Sequence, residues 1–263
     1  MSSKKSMKIC LTTYFDKNFS ELGELCLKSM RKYAKKYGYD VKTLNNISSK
    51  RPPAWNKVLV IQRLLEDKKN YDFIFWIDSD ALFINFNEDI KKEIAPGKDF
   101  YIAKHSFSGE NAPNSGVMLI KNTKWSRDFL QAVWDNSEYI FSIGWENSAI
   151  NNLLGFNAPK NKIRDIFQKV LYKLKIKNYA IKILNKMRIS GRLARFFIKL
   201  NQDAGKKEGS ENKFLGKIKW LDKKWNSLPY YEPVKNPIIN HYPSLNYETR
   251  LEKMHEDAKK AEI

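Results

Sequence analysis

Two carboxylates one residue apart, Asp78 and Asp80, close a run of bulky apolar residues, Phe73-Ile74-Phe75-Trp76-Ile77. On an extended strand, positions i and i+2 project to the same side. The pair can therefore converge on one point, with Ser79 opposite, and the chemistry that suits such a pair is coordination of a cation. Five apolar residues in a row read as a strand buried on both faces, as at the centre of a largely parallel sheet. Acids at the carboxyl end of such a strand stand where open α/β sheets bind ligands. Apolar residues resume at Ala81-Leu82-Phe83-Ile84, so the acids are not part of a solvated loop. A strand that ends in a polar turn has the same short pattern, and the surrounding elements distinguish the two.

Other side chains with chemical potential fall at the ends of apolar runs. Thr12, Thr13 and Tyr14 end a first strand, where a base and ribose could dock; an ordinary strand-to-helix turn explains them equally well. Lys57 sits on a helix near the ligand edge, either as a partner for phosphate or as a solvated helical lysine. Asn114, Ser115 and Gly116 offer an amide, a hydroxyl and close backbone approach, or else a tight turn into a strand. Glu146 and Asn147 open a helix, where one of them could serve as a cap. His241 lies at a late strand end, where a hydrogen-bonded core histidine is the plain alternative to a ligand.

The elements that must position these groups are legible from periodicity. Lys8 to Tyr14 reads as a strand, Phe19 to Tyr37 as an amphipathic helix stopped at Gly38, and Tyr39 to Leu44 as a second strand. Trp55 to Asp67 reads as a helix and leads to the central strand. This strand–helix–strand–helix–strand order predicts right-handed crossovers and a parallel sheet. Phe100 to Ala103 and Asn114 to Ile120 read as strands, the second introduced by a turn signal. Thr123 to Ser137 and Trp145 to Leu154 read as helices, and Ile238 to Pro243 as a last strand.

Composition bounds the possibilities. The chain has 263 residues, is 42% hydrophobic and carries a net charge of +19, so a packed globule with anionic partners is expected. Cys10 and Cys26 form no disulfide framework, which suggests a reducing compartment. The opening residues Met1 to Lys8 do not read as a signal peptide, and no apolar run is long enough for a membrane span. Most of the charge surplus lies between residues 160 and 200, which hold thirteen bases against one acid, Asp165. Large apolar residues interleave with them. That pattern predicts basic amphipathic helices on an anionic membrane surface, hence a cytoplasmic, peripherally membrane-associated protein.

Taken together, these blocks resemble a glycosyltransferase of the GT-A fold, closest to the galactosyl-, mannosyl- and xylosyltransferases of glycosyltransferase family thirty-four. The residues that carry the resemblance are Ala54-Trp55-Asn56-Lys57, the stretch Tyr71 to Phe83, Asn114 to Asn122, Trp145 to Ile150 and His241-Tyr242-Pro243. The block around the two aspartates is the specific one. Two departures stand out: Asn147 where the family commonly has Gln, and no membrane anchor and stem of the kind eukaryotic members carry.

The resemblance implies an α/β fold with a mostly parallel central sheet flanked by helices. A catalytic domain would span residues 1–156 and 214–250, with a basic helical insertion at 157–213 and a helical tail at 251–263. It implies a retaining transfer of a hexose or pentose from a nucleotide-diphosphate sugar, UDP-sugar favoured, to a glycan or lipid-linked acceptor. It assigns the metal, Mn²⁺ or Mg²⁺, to Asp78, Asp80 and His241. Asp80, Glu146 and Asn147 become the catalytic group. Donor contacts fall to Thr12, Thr13, Tyr14, Lys57, Asp78, Ser79, Asn114, Ser115 and Gly116. An imidazole favours Mn²⁺ over Mg²⁺. Two other classes compete. A nucleic-acid-binding protein is suggested by charge alone, but no nucleic-acid module is recognisable. A nucleotidyltransferase or phosphohydrolase would use the same acids, but no phosphate-cradling Gly-rich loop is present.

Overall fold

A computed structural model describes residues 7–44, 46–47, 49–107, 110–142, 144–156, 165–166, 169–170, 172 and 212–263. The first strand, β1 (Ile9–Thr13), leads into α1 (Ser20–Tyr37). That helix stops at Gly38, whose φ of 70° is a left-handed setting that costs glycine little, and its N–H closes on Ala34 O. Strand β2 (Asp40–Thr43), helix α2 (Asn56–Leu65) and strand β3 (Phe73–Ile77) follow. After β4 (Ala81–Phe83), a hairpin of β5 (Phe100–Phe107) and β6 (Glu110–Lys121) precedes α3 (Lys124–Asp135) and α4 (Trp145–Leu153). Strands β7 (Ile218–Leu221) and β8 (Ile239–His241) and helix α5 (Tyr247–Lys260) complete the described elements.

The main sheet runs β2-β1-β3-β6-β5-β7, with β1 parallel to both β2 and β3, β7 parallel to β5, and β6 alone reversed. The apolar run of β3 divides strictly by parity, as a strand buried on both faces must. Ile74 and Trp76 join α2, α3 and α4 in one core; Phe73, Phe75 and Ile77 join α1 in the other. Phe214 and Ile218 enter the first core, and Trp225 and Ile239 the second, so the chain after residue 212 completes the same layers.

The structure refines several of these expectations. Asp78 and Asp80 do not lie on an extended strand: β3 ends at Ile77, and Ala81 N–H bonds Asp78 O (2.9 Å) across a tight turn. Asn114 does not introduce a strand but lies within β6, at a register shift where Ile102 pairs with Met118 and Ala103 with Asn114. The strand before Pro243 pairs with β4 in a separate two-stranded sheet, and Ser227 forms a parallel bridge to its Asn240. The helix expected as a tail from residue 251 begins at Tyr247, and its Met254 and Ala258 are buried with Leu22, Leu25 and Leu82. Both cysteines are free and buried. Among the described residues, no helix is long and apolar enough to cross a membrane. The expected membrane helices of residues 160–200 fall almost wholly outside the described residues.

Candidate active site

The turn after β3 and the end of β8 meet because β4, immediately beyond the turn, pairs antiparallel with β8 and sets Ala81 opposite His241. Tyr242 N–H bonds Asp80 O (3.0 Å), tying the two segments together. As a result, one ligand atom each from Asp78, Asp80 and His241 lies within 4.8 Å of the others. His241 Nε2 is 3.4 Å from Asp80 Oδ1 and 3.9 Å from Asp78 Oδ2. Ser79 sits half-buried between the two acids.

Gly116 makes that approach possible. A Cβ there would stand 2.1 Å from His241 Cε1 and 2.4 Å from its Nδ1, so the imidazole occupies the space a side chain would take. The close approach expected of this glycine is thus made to a histidine. Opposite His241, Arg250 of α5 reaches Asp80 Oδ2 (3.0 Å) and donates to Leu245 O (2.8 Å). Burial works to raise the Asp80 pKa, but His241 and Arg250 outweigh it and hold the carboxyl below its ordinary range.

Lys57 joins this cluster to a second one. Its ammonium contacts Asp78 Oδ1 (2.9 Å) and Glu146 Oε1 (2.8 Å), and donates to Ser115 O (3.1 Å) and Oγ (3.2 Å). The side chain is only 5% exposed, which removes the solvated alternative. Burial alone would discharge this lysine, but the two acids reverse the direction and push its pKa up, so it stays charged. Burial pushes Glu146 above the carboxylate range, against the attraction of Lys57, and its Oε2 has no hydrogen-bond partner. Trp76 Nε1 donates to Asp78 Oδ1 (2.7 Å), fixing that carboxylate from the strand itself.

The chain enters α4 through Trp145 at φ 45°, a left-handed setting that costs a non-glycine residue about 1–2 kcal/mol. Trp145 is left 39% exposed while Glu146 beside it is buried. Neither polar residue caps the helix: Gly144 takes the N-cap position, and Asn147 Oδ1 accepts from Ser115 N–H (2.9 Å). The register shift in β6 lets consecutive residues serve different partners, Ser115 facing α4 while Asn114 Oδ1 accepts from Gly116 N–H (2.9 Å).

The structure therefore brings together Asp78, Asp80, His241, Lys57, Asn114, Ser115, Gly116, Glu146 and Asn147, with Ser79 between the acids. Thr12 and Thr13 are buried within β1, and Tyr14 donates its hydroxyl to Ile47 O (3.3 Å). Trp76, Asn226 and Arg250 were missed by sequence reasoning. Trp76 carried a signal, since it shares the parity of Asp78 in the same segment. Asn226 and Arg250 carried none, because tertiary contact alone brings them to the site.

The donor set suits a divalent cation. Two carboxylates and an imidazole face one another at ligand spacing, and hard or borderline ions take oxygen and nitrogen donors of this kind. A bound cation would neutralise the mutual repulsion of Asp78 and Asp80.

Comparison with known proteins bears on the fold and on the first hundred residues. Residues 6–100 match the sequence profile of the galactosyl transferase GMA12/MNN10 family. Galactomannan galactosyltransferase 1 of Cyamopsis tetragonoloba is 28% identical over 111 residues, 39% of this chain and 25% of that protein. The chain spans about a quarter of the length of the curated relatives it matches. A glycosyltransferase involved in the glycosylation of the major capsid of PBCV-1 superposes with a TM-score of 0.60 at 15% identity, over 95% of this chain and 100% of that one. The galactosyltransferase LgtC, solved with donor and acceptor sugar analogs, superposes with a TM-score of 0.50 at 11% identity, over 95% of each chain. At such identities the likeness is one of fold. This chain has the fold of the GT-A glycosyltransferases, and its residues 6–100 carry the sequence pattern of the GMA12/MNN10 galactosyl transferase family.

Proposed function

We propose that this protein is a metal-dependent, retaining glycosyltransferase that moves a hexose or pentose from a nucleotide-diphosphate sugar, with UDP-sugar favoured, to a glycan or glycolipid acceptor. One observation carries the reading: the Asp78–Asp80–His241 cluster is joined through Lys57 to Glu146, with Asn147 next along α4. This sets a cation site beside polar groups suited to a sugar. Departure of a diphosphate needs charge neutralisation, and a bound Mn²⁺ or Mg²⁺ held by Asp78, Asp80 and His241 would supply it.

The chain's own residues do the rest. Lys57 neutralises Asp78 and Glu146 and holds both carboxylates in place. Glu146 Oε2, buried and without a partner, is an acceptor facing no protein donor and suits a donor-sugar hydroxyl. Asn147 spends its oxygen on Ser115 N–H, which leaves the amide N–H groups for the sugar. Retention fits a front-face attack in which these side chains position the sugar and stabilise an oxocarbenium-like state. On this reading the basic residues 160–200 dock the enzyme on an anionic, cytoplasmic membrane surface, where a lipid-linked acceptor would lie.

The test is a panel of nucleotide sugars in a thermal-shift assay with Mn²⁺, followed by turnover with the best donor. Asp78→Asn and Asp80→Asn are expected to abolish transfer with circular dichroism unchanged. Chelator-resistant transfer by the wild type refutes the metal role. Metal-dependent hydrolysis of nucleotides with no sugar transfer favours the phosphohydrolase class instead.

A further inference from the structure

Asn226 lies in the short 3-10 turn Lys223–Asn226, away from every block that carries the family pattern, and is fully buried. Its amide touches the site on two sides. Nδ2 donates to Asn114 O (3.2 Å) and Oδ1 (3.0 Å), while Oδ1 lies 3.0 Å from His241 Nδ1. The orientation of this amide follows from its partners. Asn114 O is a backbone carbonyl, and Asn114 Oδ1 already accepts from Gly116 N–H (2.9 Å), so both are acceptors. The Asn226 nitrogen must face them, and its oxygen must face the histidine. An oxygen can only accept, so His241 Nδ1 carries the proton. In the neutral ring the lone pair then sits on Nε2, the atom turned toward Asp80 Oδ1 and Asp78 Oδ2.

We propose that Asn226 is a positioning residue for cation binding: it fixes the tautomer and the plane of His241 so that Nε2 presents its lone pair between the two aspartates. The inference rests on His241 being a ligand, as proposed above. Without this acceptor, an Nε2–H tautomer would gain a hydrogen bond to Asp80, and the ring would offer a proton where a cation needs an electron pair. Asn114 acts one step further out, because it sets which way the Asn226 amide points. Partners of this kind orient metal-ligating histidines and raise their basicity, and their loss commonly weakens metal affinity by about 10–100-fold.

Two measurements on donor-free protein test this. The first is the tautomer of His241 in the metal-free wild type, read from ¹⁵N–¹H couplings of the ring at a pH high enough that only one ring nitrogen holds a proton. With three histidines in the chain, single substitutions of His105 and His255 complete the assignment. The Nδ1–H form is expected; a dominant Nε2–H form overturns the proposal, and no variant is needed to see it. The second is Mn²⁺ titration followed by the electron paramagnetic resonance of the free ion. Asn226→Leu, similar in volume, and Asn226→Ser, which keeps a small polar group, are compared with wild type. Asn226→Leu is expected to weaken Mn²⁺ binding about 10-fold or more, with Asn226→Ser intermediate. Wild-type affinity in folded variants overturns the role of Asn226 alone. A wild type that binds no Mn²⁺ refutes the ligand reading of His241, and this proposal with it.

Discussion

Lys57→Met tests the charge balance of the site without touching an acid. The substitution keeps most of the side-chain volume and removes one cation from between Asp78 and Glu146. Glu146 is buried, so it loses its partner in a place where water cannot replace it. Breaking a buried pair from one side typically costs ~3–5 kcal/mol. A chain of 263 residues unfolds with an entropy of ~0.55 kcal/mol/K at ~2.1 cal/mol/K per residue, so the melting temperature should fall by ~5–9 °C. The loss should depend on pH in a definite direction. Burial already raises the Glu146 pKa above its unfolded value, and Lys57 is the main opposing influence. A raised carboxyl favours the folded state below the unfolded pKa, and this stability is lost as pH rises through the folded pKa. Removing Lys57 raises that folded pKa further, so the deficit against wild type is smaller at about pH 5 than at about pH 8. Chemical denaturation with a chelator present measures both points. The double variant Lys57→Met/Glu146→Gln should recover part of the loss, because the stranded charge is gone. Equal stability of Lys57→Met and wild type at about pH 8, or a deficit that ignores pH, would show that Lys57 does not hold these acids.

Gly116→Ala forces a Cβ into the His241 ring; a loss of ~1–3 kcal/mol and Mn²⁺ affinity at least ~10-fold weaker are expected, and unchanged Mn²⁺ titration would remove His241 from the ligand set. Asn147→Ala should lower kcat with a modest effect on nucleotide affinity, and Asn147→Gln should be milder, since it keeps the amide; equal kinetics for all three proteins would reduce Asn147 to a support for Ser115 N–H. Replacing residues 160–200 by a Gly/Ser linker should abolish salt-sensitive co-sedimentation with anionic vesicles and spare transfer to a soluble acceptor; an intact protein that ignores such vesicles at low salt has no membrane-docking role for this segment.

Periodicity and motif spacing made much of the scaffold legible. The doubly buried run Phe73–Ile77 could only be an interior strand, and it is one. The helices over Ser20–Tyr37, Lys124–Asp135 and Trp145–Leu153 follow from apolar spacing and end signals, because these are local properties of the chain. The residue types of the site were legible too, since carboxylates and an imidazole are candidate ligands whatever the path of the backbone. How those residues meet was not legible. The two aspartates converge through a turn rather than along a strand, and hydrogen bonding between β4 and β8 carries His241 to them. Lys57 reads either as a phosphate partner or as a solvated helical lysine until α4 packs over it with Glu146. Asn114 reads as a turn because an irregularity in a hairpin depends on its partner strand.

The sequence by itself determined that this chain forms an interior strand with paired acids just beyond its end, and the family resemblance singled out a late histidine as a candidate third ligand. Only the tertiary structure decided that Lys57 neutralises the site, that Arg250 of α5 braces Asp80, and that Asn226 governs the face His241 presents. The physical reason is range. Side-chain periodicity reports burial of a residue along its own element, whereas charge pairing and hydrogen bonding act over about 3 Å between segments that only the packed fold brings together.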